Sequence, residues 1–304
     1  MKEIVLHEVG LRDGLQMEAA TVPTGQKLLW LRALVNSGLD IVQVGSFVHP
    51  VKVPQMADTD RLFGEIAASG EKPANIVLSA LVLNEKGLER GLACGVEMFC
   101  MGVSASETHS RKNTGMGIAD ATARIIATAN QAISAGRRVQ VSVQSAFGCG
   151  YEGLVPEERV LAIVRSYSEA GLTNISLADT AGHAVPDRVE RLFDAVRGIA
   201  GDAALACHFH NTYGLGLANV YAAMKSGVTS FESSVAGLGG CPFTKIAGGN
   251  VCTEDLVHMF RTMGFRQDVD LERIIGVAAS MARFFGRELP GTVYRTGILT
   301  KAGA

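Results

Sequence analysis

Short apolar runs and helical stretches alternate along this chain, and their order predicts its architecture. The first run, Ile4-Val5-Leu6-His7-Glu8-Val9, reads as a strand. Residues 26–36 then place Leu28, Leu29, Leu31, Leu34 and Val35 at helical spacing, Gly38 ends that helix, and Ile41-Val42-Gln43-Val44 begins the next strand. Six further runs, at 76–80, 96–101, 139–143, 175–178, 203–209 and 229–233, predict six more strands. Helical patterns at 59–68, 85–94, 118–135, 157–170, 187–199, 217–226 and 253–263 follow them in turn. Helical crossovers force neighbouring strands to run parallel, and eight such strands can close on themselves. The expected fold class is therefore α/β, a (β/α)8 TIM barrel. It occupies about 1–265 of a single domain spanning 1–304, with a further helix at 269–285 and a Gly-rich, mobile tail at 291–304. The rival is a doubly wound open sheet, which usually carries a GxGxxG turn after its first strand; Gly10-Leu11-Arg12-Asp13-Gly14-Leu15-Gln16 lacks that spacing.

Composition narrows the function. With 28 Lys and Arg against 30 Asp and Glu, no basic field exists to hold nucleic acid or a membrane surface, which leaves small-molecule chemistry. At 304 residues and 47% hydrophobic content the chain can bury a large core, yet no apolar run reaches the roughly 18 residues of a membrane span. The six cysteines show no CxxC spacing and follow no signal peptide, so reduced thiols and a cytoplasmic location are expected.

The chemistry is densest at Cys207-His208-Phe209-His210-Asn211, which ends an apolar run. Strand side chains alternate between faces, so His208 and His210 point the same way and can converge on one ion, or simply hydrogen-bond to neighbours. In a barrel of this kind the loops after the strands meet at one end. Those loops bring Arg12 and Asp13 after the first strand, Gln43-Val44-Gly45-Ser46 at the second, the histidines at the seventh, and Gly237 to Pro242 followed by Gly248-Gly249-Asn250 after the eighth. Asp13, His208, His210 and the Asn250 amide oxygen make a mixed oxygen and nitrogen shell that leaves two octahedral positions for substrate. Each residue also has a plainer reading: an Arg12–Asp13 surface ion pair, Asn250 as a helix cap, Cys241 as an inert small residue. Their meeting at one barrel end is what favours a metal-dependent catalytic site.

Longer motifs carry a family resemblance. They are Glu8 to Gln16, Gly45-Ser46-Phe47-Val48, Val53-Pro54-Gln55-Met56, Ser176-Leu177-Ala178-Asp179-Thr180, His208 to Gly214, Ser233 to Pro242 with its Gly-Cys-Pro loop, and Gly249-Asn250-Val251 with Thr253-Glu254-Asp255-Leu256. Across nearly its whole length the chain resembles the 3-hydroxy-3-methylglutaryl-CoA lyase family. The resemblance implies Asp13, His208, His210 and Asn250 as ligands of Mg²⁺ or Mn²⁺, an ion that chelates the substrate hydroxyl and a second acyl oxygen. It implies a base, Asp13 or a group near the metal such as His208, that takes the C3 hydroxyl proton for retro-Claisen cleavage to a ketone or keto acid and a thioester enolate. Arg12 would stabilise the enolate charge and Cys241 would protonate it, a task suited to a thiol of pKa about 8.5. Gln16, Gln43, Ser142, Gln144, Ser176 and Thr180 are the expected acyl contacts. Arg111 and Lys112 either meet the CoA phosphates or form an ordinary solvated pair, and a homodimer is a further family expectation.

Departures from the family pattern fall around the acyl group. Gln43 stands where the family has Glu, Ser142 where it has Tyr, Gln144 where it has Ser, Ser145 where it has Cys, and Asn211 where Asp is usual. An amide at 43 cannot titrate, the pocket is expected to be more polar, and a charge close to the metal is expected to be lost at 211. The readings that follow are a lyase for 3-hydroxy-3-methylglutaryl-CoA or a related thioester, a lyase for malyl- or methylmalyl-type thioesters, a Claisen-condensing synthase, and, weakest, a noncatalytic binding protein.

Overall fold

Alternation along the strands sorts the side chains into two environments. Leu6, Val42, Phe99, Val141, Ile175, Cys207 and Phe231 are buried in the main apolar core. The residues next to them, Gln43, Cys100, Gln140, Ser176, His208 and Glu232, line a cavity inside the barrel. Here the period of two that makes a strand also makes an apolar outside and a polar inside.

The computed structural model describes residues 4–240 and 249–298. Its strands are β1 (Val5–Glu8), β2 (Ile41–Ser46), β3 (Val77–Leu81), β4 (Met98–Ser104), β5 (Arg138–Gln144), β6 (Asn174–Asp179), β7 (Ala204–Phe209) and β8 (Ser230–Ser233). They pair in chain order into a closed barrel, with β8 parallel to β1 through Val5 opposite Ser230 and Glu8 opposite Ser233. Each predicted strand is present, with ends displaced by at most three residues. Apolar Ile41, Val77, Met98 and Cys100 close the interior as a separate small cluster.

The helices that cover the barrel are α1 (Thr24–Val35), α2 (Thr59–Ser69), α3 (Glu85–Ala93), α4 (Glu107–Thr114), α5 (Ile118–Ser134), α6 (Glu157–Glu169), α7 (Pro186–Ala200), α8 (Gly216–Lys225) and α9 (Thr253–Thr262). Two more follow, α10 (Leu271–Phe285) and α11 (Val293–Thr296). Sequence reading missed α4, an extra helix after β4 that has no apolar stripe and buries only Ser110. Its start is held by Ser106, whose Oγ accepts from the His109 N–H at 3.2 Å. The stretch expected to be a mobile tail contains α11; its last residues, 299–304, lie outside the described residues. Helix α10 packs beside α1, where Trp30 donates to Ser280 Oγ at 3.0 Å and meets Phe284 edge-on at 5.5 Å. Among the described residues no helix is long and apolar enough to cross a membrane, and the five described cysteines are unpaired.

Two buried carboxylates brace the turn that follows β8. Ala236 has φ +60°, a left-handed conformation that costs a non-glycine residue about 1–2 kcal/mol. Its N–H donates to Glu254 Oε2 at 2.9 Å, and the neighbouring Val235 N–H donates to Glu8 Oε1 at 3.0 Å. Burial pushes Glu8 up to about 7 and Glu254 up to about 8 from an ordinary 4.5, even though these N–H donors pull the other way. The folded chain therefore keeps protons that the unfolded chain releases, and these two groups lose stabilising effect as pH rises from about 4.5 to about 8. Glu254→Gln cannot titrate, so thermal melts from pH 5 to 8 at fixed metal concentration should show a shallower fall of Tm with pH than wild type. Parallel profiles would exclude Glu254 as a source of the slope.

Candidate active site

The loop after β1 is a wide helical turn, Gly10–Gly14, in which the N–H groups of Arg12, Asp13 and Gly14 all reach the Val9 carbonyl, at 3.1, 2.8 and 3.4 Å. Glu8 pins its start by accepting from the Gly10 N–H at 2.6 Å. The turn sets Arg12 and Asp13 over the barrel mouth, where they form an ion pair and Arg12 Nε also donates to Gln43 Oε1. This pair is the one the sequence left open as a surface contact; both side chains are mostly buried, 11% and 14% exposed.

Across the mouth, β7 ends in the histidines. Asp13 Oδ2 lies 3.8 Å from His208 Nε2 and 3.9 Å from His210 Nε2, and the two Nε2 atoms are 3.2 Å apart. Neighbouring donors around a hard cation sit about 3 Å apart, so a modest contraction brings these three atoms onto one ion. Asp13, His208 and His210 are thus a site able to hold a metal. Asn250 is fastened alongside by backbone bridging to His210, with Asn211 N–H donating to Gly249 O at 2.8 Å and Val251 N–H to Phe209 O at 3.0 Å. Its Nδ2 donates to Asp13 Oδ2 at 2.8 Å and to Leu238 O at 3.0 Å, while its buried Oδ1 has no partner. Asn250 thus keeps a buried acceptor without a protein partner in the residue that bonds Asp13. Gly239 permits the approach: its φ is +111°, and a Cβ there would sit 2.5 Å from Asn250 Nδ2.

Neighbouring charges and burial shift the titration of each of these residues. Burial alone would raise the Asp13 pKa, but Arg12, His208, His210 and Asn250 together hold it well below the usual carboxylate range. Burial lowers His210 to about 4, helped by the neighbouring His208. His208 is also pulled down by burial, yet its net shift is upward because Nδ1 bonds Glu232 Oε2 at 3.0 Å and Asp13 is near. Glu232, in spite of burial, is kept below its ordinary value by the same bond. With Glu232 ionised and accepting the Nδ1 proton, a neutral His208 would turn its Nε2 lone pair toward Asp13 and His210.

Arg12 and the metal-site residues Asp13, His208 and His210 border a cavity of about 510 Å³. Gln16, Gln43, Ser142, Gln144, Ser176 and Thr180, the expected acyl contacts, line the same cavity. Two of them also hold structure: Ser176 donates to Glu232 Oε1 at 3.0 Å, and Thr180 Oγ1 accepts from the N–H of Ser145, a residue with φ +54°. Arg111 and Lys112 do not line it. Arg111 bridges to Glu107 at 2.6 Å and Lys112 lies over the Tyr151 ring at 3.9 Å, while His109 and Asn113 of the same helix face the cavity. Cys241 lies outside the described residues; Gly240, just before it, is part of the cavity wall. Asn211, where a charge close to the metal is expected to be lost, directs its Oδ1 to the Gly216 N–H at 2.8 Å at the start of α8. Glu232 was missed from sequence, although an acid between Phe231 and Ser233 on a predicted strand shares an alternation face with Ser230 and so points inward. Gln140, Cys100 and Lys52, also in the cavity wall, were missed as well.

Comparison with known proteins agrees with the fold. A family model described as HMGL-like matches residues 3–281. The chain is 35% identical over 289 residues to a hydroxymethylglutaryl-CoA lyase of Bacillus subtilis, covering 95% of each chain. It is 35% identical over 301 residues to a 3-hydroxy-3-isohexenylglutaryl-CoA/hydroxymethylglutaryl-CoA lyase of Pseudomonas aeruginosa, covering 99% of each. The solved structure of an HMG-CoA lyase from Acinetobacter baumannii, in complex with coenzyme A and 3-methylmalate, superposes with a TM-score of 0.92 at 34% identity, covering 99% of this chain and 97% of that one. By sequence and fold together, the chain belongs to the HMGL-like family, that of the 3-hydroxy-3-methylglutaryl-CoA lyases.

Proposed function

We propose that this protein cleaves 3-hydroxy-3-methylglutaryl-CoA to acetyl-CoA and acetoacetate. The observation that carries the reading is the convergence of Asp13, His208 and His210 at the mouth of a cavity that also holds Arg12. Asn250, with its bare Oδ1, completes the proposed ligand set of two oxygens and two imidazole nitrogens, for which the family resemblance points to Mg²⁺ or Mn²⁺. Bound there, the ion would supply Lewis acidity to substrate oxygens.

The protein groups divide the remaining work. Asp13 is the proposed acceptor of the C3 hydroxyl proton, because His208, with Nδ1 bonded to Glu232 and Nε2 aimed at the ion site, keeps no lone pair for it. Asp13 also accepts from Arg12 and Asn250, which hold its basicity low. Arg12, fixed by Asp13 and by Gln43, offers permanent positive charge where the thioester oxygen becomes an enolate. Gln43 orients Arg12 but carries no charge and cannot exchange a proton. Cys241 follows Gly240 at the cavity wall and is proposed to protonate the enolate carbon. For CoA, whose bulk must remain at the open face, Lys52 and Asn113 are the proposed contacts at the rim. Relatives acting on glutaryl-type thioesters favour that acyl class over malyl-type thioesters and over a condensing synthase.

Incubating the protein with 3-hydroxy-3-methylglutaryl-CoA and Mg²⁺ should release acetyl-CoA and acetoacetate in equal amounts. EDTA should stop the reaction and Mg²⁺ or Mn²⁺ restore it; turnover unchanged in EDTA would contradict a metal-dependent lyase. Cys241→Ser should lower kcat roughly 10²–10⁴-fold with an unaltered melting temperature, as removal of a general acid does. Glu232→Gln should raise the Mg²⁺ concentration needed for half-maximal activity about 10–100-fold. An unchanged metal requirement would remove Glu232 from the support of the site.

A further inference from the structure

The cavity extends past the ion site into the barrel. Gln144, Ser142 and Gln140 alternate down one face of β5 and all line it, so at about 3.3 Å per residue Gln140 lies roughly 13 Å below Gln144. What keeps the passage open is a row of small residues in register across four strands. Gly102 of β4 lies beside Ser142 of β5, Ser142 beside Ser176 of β6, and Ser176 beside Ala206 of β7. A tyrosine at 142, as in the family pattern, would fill this space.

At the bottom stands a donor without an acceptor. Gln140 is 3% exposed, its Oε1 takes a long contact of 3.6 Å from the Cys100 thiol, and its Nε2 has no hydrogen-bond partner. Burying an amide N–H unpaired is unfavourable, and folding alone would select an apolar side chain here. A bound group that brings an oxygen removes the penalty.

We propose that Gln140 is a specificity-determining residue whose amide N–H donates to an oxygen on the substituent of the substrate's hydroxyl-bearing carbon. The inference rests on the lyase reading above and deepens it: the favoured substrates are 3-hydroxyglutaryl-type thioesters whose C3 substituent is longer than methyl and ends in a neutral oxygen. That substituent is the part of the acyl group that can change while hydroxyl, thioester and terminal carboxylate all stay in place. The oxygen is neutral because Glu232, bonded to Ser176 and His208 and held ionised by them, shares the cavity wall and would repel a second carboxylate there.

Two near-isosteric thioesters test this, 3-hydroxy-3-(hydroxymethyl)glutaryl-CoA and 3-ethyl-3-hydroxyglutaryl-CoA, with the 3-methyl compound as reference. Wild-type kcat/KM should favour hydroxymethyl over ethyl by roughly 10-fold or more, and Gln140→Leu should abolish or reverse that ratio. Ser142→Tyr should lower both relative to the methyl compound, and it serves as the test if Gln140→Leu fails to fold. Titration calorimetry of the two corresponding free acids in the presence of Mg²⁺ reads the same preference without turnover. Cleavage of all three thioesters with no hydroxymethyl preference, or a preference untouched in Gln140→Leu, overturns the subsite and leaves the lyase reading standing. Failure to cleave any of them overturns the lyase reading, and equal affinity for the two acids then overturns the subsite too.

Discussion

The buried hydrogen bond between His208 Nδ1 and Glu232 Oε2, 3.0 Å across β7 and β8, is the contact on which the arrangement of the mouth depends. A charge-assisted bond of this kind contributes about 1.5–3 kcal/mol and, more importantly, has one geometry. It fixes the imidazole plane, sends the other ring nitrogen toward Asp13 and His210, and is itself steadied by Ser176 on the opposite oxygen of Glu232. Three strands are thereby tied through side chains as well as through the barrel ladder. Donors placed by such a chain need little reorganisation to receive a cation, which is the condition for a tight and well-aimed metal site.

A second buried carboxylate system performs the same service for the loops. Glu8 and Glu254 together accept N–H groups from Gly10, Val235 and Ala236. The turn holding Asp13 and the strained turn leading to Leu238 are thus anchored to adjacent acids, and Leu238 in turn receives the Asn250 amide. Catalytic loops are commonly the mobile part of a barrel, but here their bases are fastened to its least exposed residues. Side chains at the mouth can then be precise although they come from the first, seventh and eighth strands.

Much of this was legible in the sequence. The barrel could be read because outward positions such as Phe99 and Val141 need an apolar layer while the inward ones do not, giving eight regular runs. His208 and His210 could be read because a strand period of two leaves them no other relation. Helix α4 could not: Glu107-Thr108-His109-Ser110-Arg111-Lys112-Asn113-Thr114 has no apolar stripe, and capping and ion pairing hold it instead. On that helix the residues one turn apart, His109 and Asn113, take the face toward the cavity, while Arg111 and Lys112 do not line it. Spacing alone likewise does not say that the Asn211 amide oxygen accepts from the first N–H of the next helix. Gln140 and Glu232 went unremarked as single polar residues in apolar strands, a pattern whose meaning depends on what lies across the barrel.

The central claim is that Asp13, His208, His210 and Asn250 form one divalent-cation site per chain. Electron paramagnetic resonance titration of EDTA-stripped protein with Mn²⁺ tests it without reference to any substrate. The account predicts one bound Mn²⁺ per chain, displaced by Mg²⁺, with affinity reduced at least about 100-fold in His210→Ala while the circular dichroism spectrum is unchanged. Equal Mn²⁺ binding by wild type and His210→Ala, or no stoichiometric binding by wild type, would contradict it.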